Sequence, residues 1–420
     1  MRLPFQLPNT KSHAPALGLQ KAFVSAMVSA CLLSGGPQTE PALAAPLSPE
    51  QELVAQAWLK ADRGFVDRTF NDQDWFSRRQ KMVKKKYDGR EEAYAEIRSM
   101  LSSLNDKYTR FLTPSMYEAV YSVATGDVAG IGIELATTSL PDGKEAVSVS
   151  TVVEGAPSDQ AGLKPGDILE EADGTVLRGL SPEEAAAKVR GPVGSKLRLV
   201  VRRAGEEEPL IKLITRATVK LEGVTSSMES AGGQKVGFIR IKQFSTSTVD
   251  DVKAALEKLR DASTYVLDLR GNTGGYFPGG VDVARLFLKA ETPITFVIDK
   301  RQQETAYQTF EDGAFSDKPL VLLVDDKTAS ASEILSSALQ DNGRAKLVGS
   351  QPKTFGKAVI QTVENLDDGS AVVVTIAQYQ TPKRTNINQR GIEVDLQKEC
   401  PGGKAAVACI ERDLKTLTAR

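Results

Sequence analysis

Apolar residues recur at helical spacing in "SPEQELVAQAWLKADRGFV" (48–66) and "GREEAYAEIRSMLSSL" (89–104), with charged residues on the other face. Segment 45–115 is therefore expected to hold helices whose apolar stripes are packing surfaces. From 116 to 204 the pattern shortens to strands and turns. "GIGIEL" (130–135) opens a strand beside glycines. "GAPSDQAGLKPGDILEEADGTVL" (155–177) reads as a short helix stopped at Gly162, a Pro165-Gly166 turn, a strand and an Asp173-Gly174 hairpin turn. "SPEEAAAKVRG" (181–191) has Ser181 as N-cap, Pro182 at the first helical position, Glu184 closing a capping box and Gly191 past the end.

From 205 to 420 strands and helices alternate. "YVLDLR" (265–270) is a strand running into the turn "GNTGGYFPGG" and then the helical "VDVARLFLKA" (281–290). The apolar run Pro319–Val324 leads into "DDKTASASEILSSALQDNG" (325–343), a buried strand turning into a helix. "AKLVGS" is a further strand, and in "QPKTFGKAVIQTV" (351–363) Lys357 opens another β-like run. If that run is extended, Gln361 shares a face with Lys357.

The first 44 residues differ in kind. Arg2, Lys11 and Lys21 precede the apolar run Ala22–Leu33, and Ala42-Leu43-Ala44 follows, the layout of an export signal cleaved near Ala44 or Ala45. The apolar core is too short for a permanent membrane anchor. Val28-Ser29-Ala30-Cys31 is a rival lipoprotein processing box. Cleavage would leave Cys400 and Cys409, either bridged across "CPGGKAAVAC" or as two thiols. A net charge of -1 over 420 residues, with 41% hydrophobic residues, describes two or three domains with full cores and gives no sign of a nucleic-acid partner.

Ser330 and Glu333 are spaced as a capping box, which alone accounts for a serine at the helix start. The same position also suits a nucleophile, because free N–H groups and the helix dipole favour an oxyanion there. The single histidine, His13, lies in the leader. A Ser-His-Asp triad, a Cys-His pair and a histidine-held metal are thus excluded from the mature chain, and a lysine is the usual substitute base. The glycine turn 271–280 lacks both the Rossmann spacing and the Lys-Ser/Thr of a P-loop. Glycines there instead let a backbone N–H stand bare beside a reacting carbonyl.

Together "TASASE", "TFGKxxxQ", "DLRGNTGG", the "AGLKPGDIL" turn of a permuted bacterial PDZ domain and the leader resemble the C-terminal processing peptidases over residues 50 to 396. "YTRFLTP" and the single PDZ domain are most similar to the cyanobacterial and plastid branch, which works in the thylakoid lumen and trims the tail of a photosystem II reaction-centre subunit. The resemblance implies an α/β fold, α+β overall. It divides into leader 1–44, helical segment 45–115, PDZ domain 116–204 and a crotonase-like catalytic core 205–420. It also implies an endopeptidase with no metal or organic cofactor, acting on protein substrates that have a free C-terminal tail. The enzyme would be soluble, able to act on membrane-protein tails, and located in the thylakoid lumen or bacterial periplasm.

By motif, Ser330 is the nucleophile, Lys357 the base and Gln361 its orienter. Ala331 with Gly274 or Gly275 would form the oxyanion hole, and Asp341 and Glu333 are supporting acids. Gly130, Ile131, Gly132 and Ile133 would cradle the substrate carboxylate. Three departures stand out: the loop "GSQPKTFGK" is about two residues longer than usual, Ala358 replaces a glycine, and Val394 replaces a common proline. The longer loop makes Lys353 a rival base. The alternatives are an inactive PDZ scaffold and a crotonase-type acyl-CoA enzyme.

Overall fold

A computed structural model describes residues 46–420 apart from 141–142, 144, 221, 403–404, 414–416 and 418–420. The expected export leader, with His13 and Cys31, lies outside the described residues.

The centre is a six-stranded sheet in the order Val224–Ala231, Gln234–Ile241, Thr264–Asp268, Leu320–Val324, Lys346–Gly349, Leu396–Gln397. The first pair is antiparallel and the rest are parallel. "TYVLD" and "LVLLV" are buried at every position, as strands covered on both faces must be. One face packs against helices Thr248–Lys258, Phe277–Arg285 and Ala331–Asp341 through Leu256, Val281, Leu335 and Leu339. The other face is closed by Ala406, Val407 and Ile410 of the C-terminal helix Ala405–Ile410. A disulfide joins Cys400 to Cys409 beside it.

A second, antiparallel sheet is built around Ala371–Gln380, which pairs with Arg110–Leu112, Val359–Asn365 and Pro293–Asp299. Helices Pro49–Gly64, capped by Ser48, and Arg90–Ser102 pack onto it, sharing one apolar cluster with Leu366, Val372 and Val374. The helical N-terminal segment therefore completes its core with residues more than 260 positions away in sequence, a pairing that local periodicity does not reveal.

The PDZ unit has its own sheet, ordered Ile133–Ser139, Glu145–Val152, Ile168–Ala172, Lys196–Arg202, Leu210–Thr215. The sheet runs past the expected boundary at 204, because Leu210–Thr215 pairs antiparallel with Lys196–Arg202. A two-strand ribbon, Asp127–Gly130 with Ala217–Lys220, carries the chain in and out.

The helix expected over 281–290 instead spans Phe277–Arg285. "FPGG" is its first turn rather than a loop, because the neighbouring helix requires glycine there. A Cβ on Gly280 would lie 2.5 Å from the carbonyl oxygen of Ala331. Gly280→Ala, which in an open helix would stabilise by about 1 kcal/mol, is expected to destabilise here by about 1–3 kcal/mol through overpacking. Thermal unfolding checks this; an unchanged or raised Tm would show that the two helices are not in close contact.

Candidate active site

Ser330 is the N-cap of helix Ala331–Asp341, with φ 57° and ψ −118°, a conformation non-glycine residues rarely adopt. Such a residue costs about 1–3 kcal/mol and persists only where its surroundings over-determine it. The surroundings are visible: Ala329 N–H donates to the Asn272 carbonyl at 3.0 Å, and Glu333 N–H donates to the Ser330 carbonyl at 2.8 Å. The helix start is thus satisfied through the Ser330 backbone. Ser332, by contrast, is fully buried and its hydroxyl donates to the Asn272 carbonyl at 3.2 Å, which makes it a structural serine.

Glu333 does more than cap. Its buried carboxylate accepts from Ser330 N–H (2.9 Å), Thr354 Oγ1 (2.6 Å), Gly356 N–H (2.7 Å) and Lys357 N–H (2.8 Å). One side chain therefore ties the serine turn to the lysine loop. Burial pushes its carboxyl up, against the pull of those four donors. Tyr379 makes a second tie, its buried hydroxyl donating to the Lys357 carbonyl at 2.7 Å and lying 3.2 Å from the Ser330 carbonyl.

The Lys357 side chain is itself mostly removed from water. Burial first, and then the Arg110 charge, bring its pKa down to about 8, with Asp106 and Glu333 pulling the other way. Its Nζ stands 4.9 Å from the centre of the Tyr108 ring. Lys353, the rival base, pairs with Glu393 at 3.2 Å and has a half-exposed side chain. It belongs to the surface of the longer loop.

Gln361 is not extended from Lys357 as expected. The strand begins only at Val359, and a register shift between Ile360 and Gln361 breaks the alternation. Gln361 donates to Thr375 Oγ1 at 3.3 Å, and Thr375 Oγ1 in turn donates to Asp106 at 2.6 Å. Among the described residues no hydrogen bond joins Gln361 to Lys357 Nζ. Asp341 sits at the other end of the helix that Ser330 caps, about 16 Å away at 1.5 Å per residue. There it accepts from Thr381 Oγ1 (2.6 Å) and Lys383 N–H (3.0 Å), anchoring a turn rather than supporting the serine.

The glycine loop lies against the serine: a Cβ on Gly274 would sit 2.7 Å from Ser330 Cβ and 3.1 Å from Ala331 N. Gly274 N–H is committed to Asn272 Oδ1 at 2.9 Å. Among the described residues Gly275 N–H and Ala331 N–H have no acceptor, so these two are the donors open to an oxyanion. Gly275 also leaves no room for a side chain, since a Cβ would meet the Phe244 carbonyl oxygen at 2.1 Å. Asn272, fully buried, holds this loop by donating to Ile241 O at 2.8 Å. Its role was not read from sequence; the only signal was a polar residue inside a glycine turn.

In the PDZ unit Ile133–Ser139 is an edge strand beside helix Pro182–Val189, an arrangement open to strand addition. The carbonyls of Ile131 and Gly132 are occupied, by Ser158 N–H at 2.9 Å and by Val153 N–H at 2.9 Å. Ile131 itself is buried in the PDZ core and Gly130 ends the ribbon strand, so both lie behind the edge strand rather than on its open side.

The match to known proteins follows this division. Peptidase family S41 matches residues 235–397 and a PDZ domain matches residues 148–203. The carboxyl-terminal-processing protease of Synechocystis sp. is 39% identical over 355 residues, 84% of this chain and 82% of that protein. The chloroplastic carboxyl-terminal-processing peptidase 2 of Arabidopsis thaliana is 37% identical, over 86% of this chain and 71% of that protein. A solved photosystem II D1 C-terminal processing protease superposes with a TM-score of 0.57 at 34% identity, over 89% of this chain and 98% of that one. An S41 peptidase core with a PDZ unit inserted ahead of it, matched along most of its length, places the chain among the carboxyl-terminal-processing serine proteases of peptidase family S41.

Proposed function

We propose that the chain cleaves protein tails by a Ser330/Lys357 dyad, with its PDZ unit capturing the substrate's free C-terminus. The observation that carries this is a half-buried lysine of lowered pKa whose backbone is fixed to the Ser330 turn by the Glu333 carboxylate. The neutral Lys357 amine takes the Ser330 Oγ proton as Oγ bonds to the scissile carbonyl carbon. The carbonyl electron pair moves onto oxygen, where Gly275 and Ala331 N–H groups receive it. Collapse breaks the C–N bond, and the Lys357 ammonium gives its proton to the leaving amine. A water, deprotonated by the same lysine, then releases the acyl group from Ser330.

No metal or organic cofactor enters these steps. The named relatives are cyanobacterial and chloroplastic, which supports export to the thylakoid lumen and the D1 precursor of photosystem II as the substrate. No described helix is long and apolar enough to cross a membrane. The intact serine, lysine and open donors speak against an inactive scaffold.

Deprotonation of Lys357 sets the pH dependence. Its folded pKa, about 8, is below the ordinary 10.5. Acylation should therefore rise with pH through a midpoint near 8 in single-turnover assays. The stability contribution of neutral Lys357 should be full above 10.5 and lost as pH falls through about 8. Lys357→Arg should be inactive, because guanidinium keeps its proton, while Lys353→Arg should stay near wild type. Activity retained in the first variant and lost in the second would move the base to the surface loop.

Tail capture has its own test. Ser330→Ala should bind a D1-tail peptide without turning it over, and amidating the peptide's C-terminus should weaken binding at least tenfold, because a charge-assisted partner is lost. Equal binding of acid and amide would end the tail-reading account.

A further inference from the structure

Two polar groups near the cleft lack a hydrogen-bond partner among the described residues, and they are neighbours. One is Tyr108 Oη, buried and unpartnered. The other is Lys357 Nζ, 4.9 Å from the centre of that same ring. A dyad lysine needs a second contact: its lone pair must face Ser330 Oγ, so an N–H has to be held elsewhere. Gln361, which the family resemblance assigns to that task, donates to Thr375 Oγ1, and no hydrogen bond joins it to Lys357 Nζ among the described residues. Tyr108 is well placed to stay fixed. Asp106 accepts from Tyr108 N–H (3.1 Å), Thr109 Oγ1 (2.6 Å) and Thr375 Oγ1 (2.6 Å), and Arg110–Leu112 pairs with the central strand of the antiparallel sheet.

We propose that Tyr108 is a positioning residue of the dyad: its hydroxyl accepts a hydrogen bond from the Lys357 amine as the lysine is presented to Ser330. The N-terminal helical unit then supplies part of the active site. This rests on Lys357 being the base. The amine donates one N–H to Tyr108 Oη and keeps its lone pair for the Ser330 proton; the resulting ammonium keeps the same contact while it protonates the leaving amine. The charged groups facing Lys357 are Asp106, Lys107 and Arg110 from this segment and Glu333 from the nucleophile helix.

The test is Tyr108→Phe, which keeps the ring over the lysine and removes one oxygen. With fluorescein-labelled β-casein as the probe, kcat should fall about 10- to 100-fold, the scale of one hydrogen bond to a charged group. The acid limb of the pH profile should shift to lower pH, since the ammonium has lost an acceptor and protonates less readily. Tm should be unchanged, because the oxygen holds no backbone group or structural side chain in place and its one proposed partner is the Lys357 amine. A wild-type plateau with an unmoved profile would overturn the proposal, as would a lowered Tm, which would make the hydroxyl a structural bond. Lys357→Arg run alongside separates the two readings: activity in that variant removes the lysine base itself, whereas its inactivity with a wild-type Tyr108→Phe removes only the positioning role.

Discussion

The site depends on one buried carboxylate. Glu333 gathers donors from the serine turn and from the loop 354–357, segments separated in sequence by the helix Ala331–Asp341 and the strand Lys346–Gly349. Three of its four partners are backbone N–H or hydroxyl groups of the lysine loop, and each would cost about 1–3 kcal/mol if left buried and unpaired. The carboxylate also lies in the first turn of a helix, where the dipole favours negative charge. The Ser330 and Lys357 backbones are consequently tied to one carboxylate, and neither the Ser330 hydroxyl nor the Lys357 amine of the proposed dyad is spent on that tie.

The acidity of the lysine follows from packing at a larger scale. Lys357 is desolvated where the antiparallel sheet meets the segment 106–110, and Arg110 and Lys107 add like charges that Asp106 and Glu333 oppose. That segment is held by Phe111 in the cluster that the N-terminal helices share with Val372 and Val374. Folding of the N-terminal unit and the proton affinity of Lys357, the proposed base, are therefore one coupled problem.

What the sequence showed was what local spacing encodes: the Ser181 cap, the Asp173-Gly174 turn, and Ser330 three residues before Glu333. The single histidine, at position 13 in the expected leader, directed attention to a lysine. Roles that depend on where a side chain ends up were not legible. Asp341 and Glu333 lie on the same helix, yet only one reaches the lysine loop. Gln361 was displaced by a register shift that four-residue spacing does not announce. Gly274 and Gly275 are adjacent, and the choice between them turns on the Asn272 side chain. Tyr108 and Lys357, almost 250 residues apart, meet only through sheet pairing.

The claim that Glu333 couples the two halves is tested most directly by native-state hydrogen exchange in Glu333→Gln. Glutamine keeps the size but has a single acceptor oxygen and turns a donor amide toward donors. The account predicts that the amides of Ser330, Gly356 and Lys357 lose protection together, by about tenfold or more for each 1.4 kcal/mol of bonding removed, while Leu320–Val324 keeps its protection. Unchanged protection at Gly356 and Lys357, or loss confined to Ser330, would contradict it and reduce Glu333 to a helix cap.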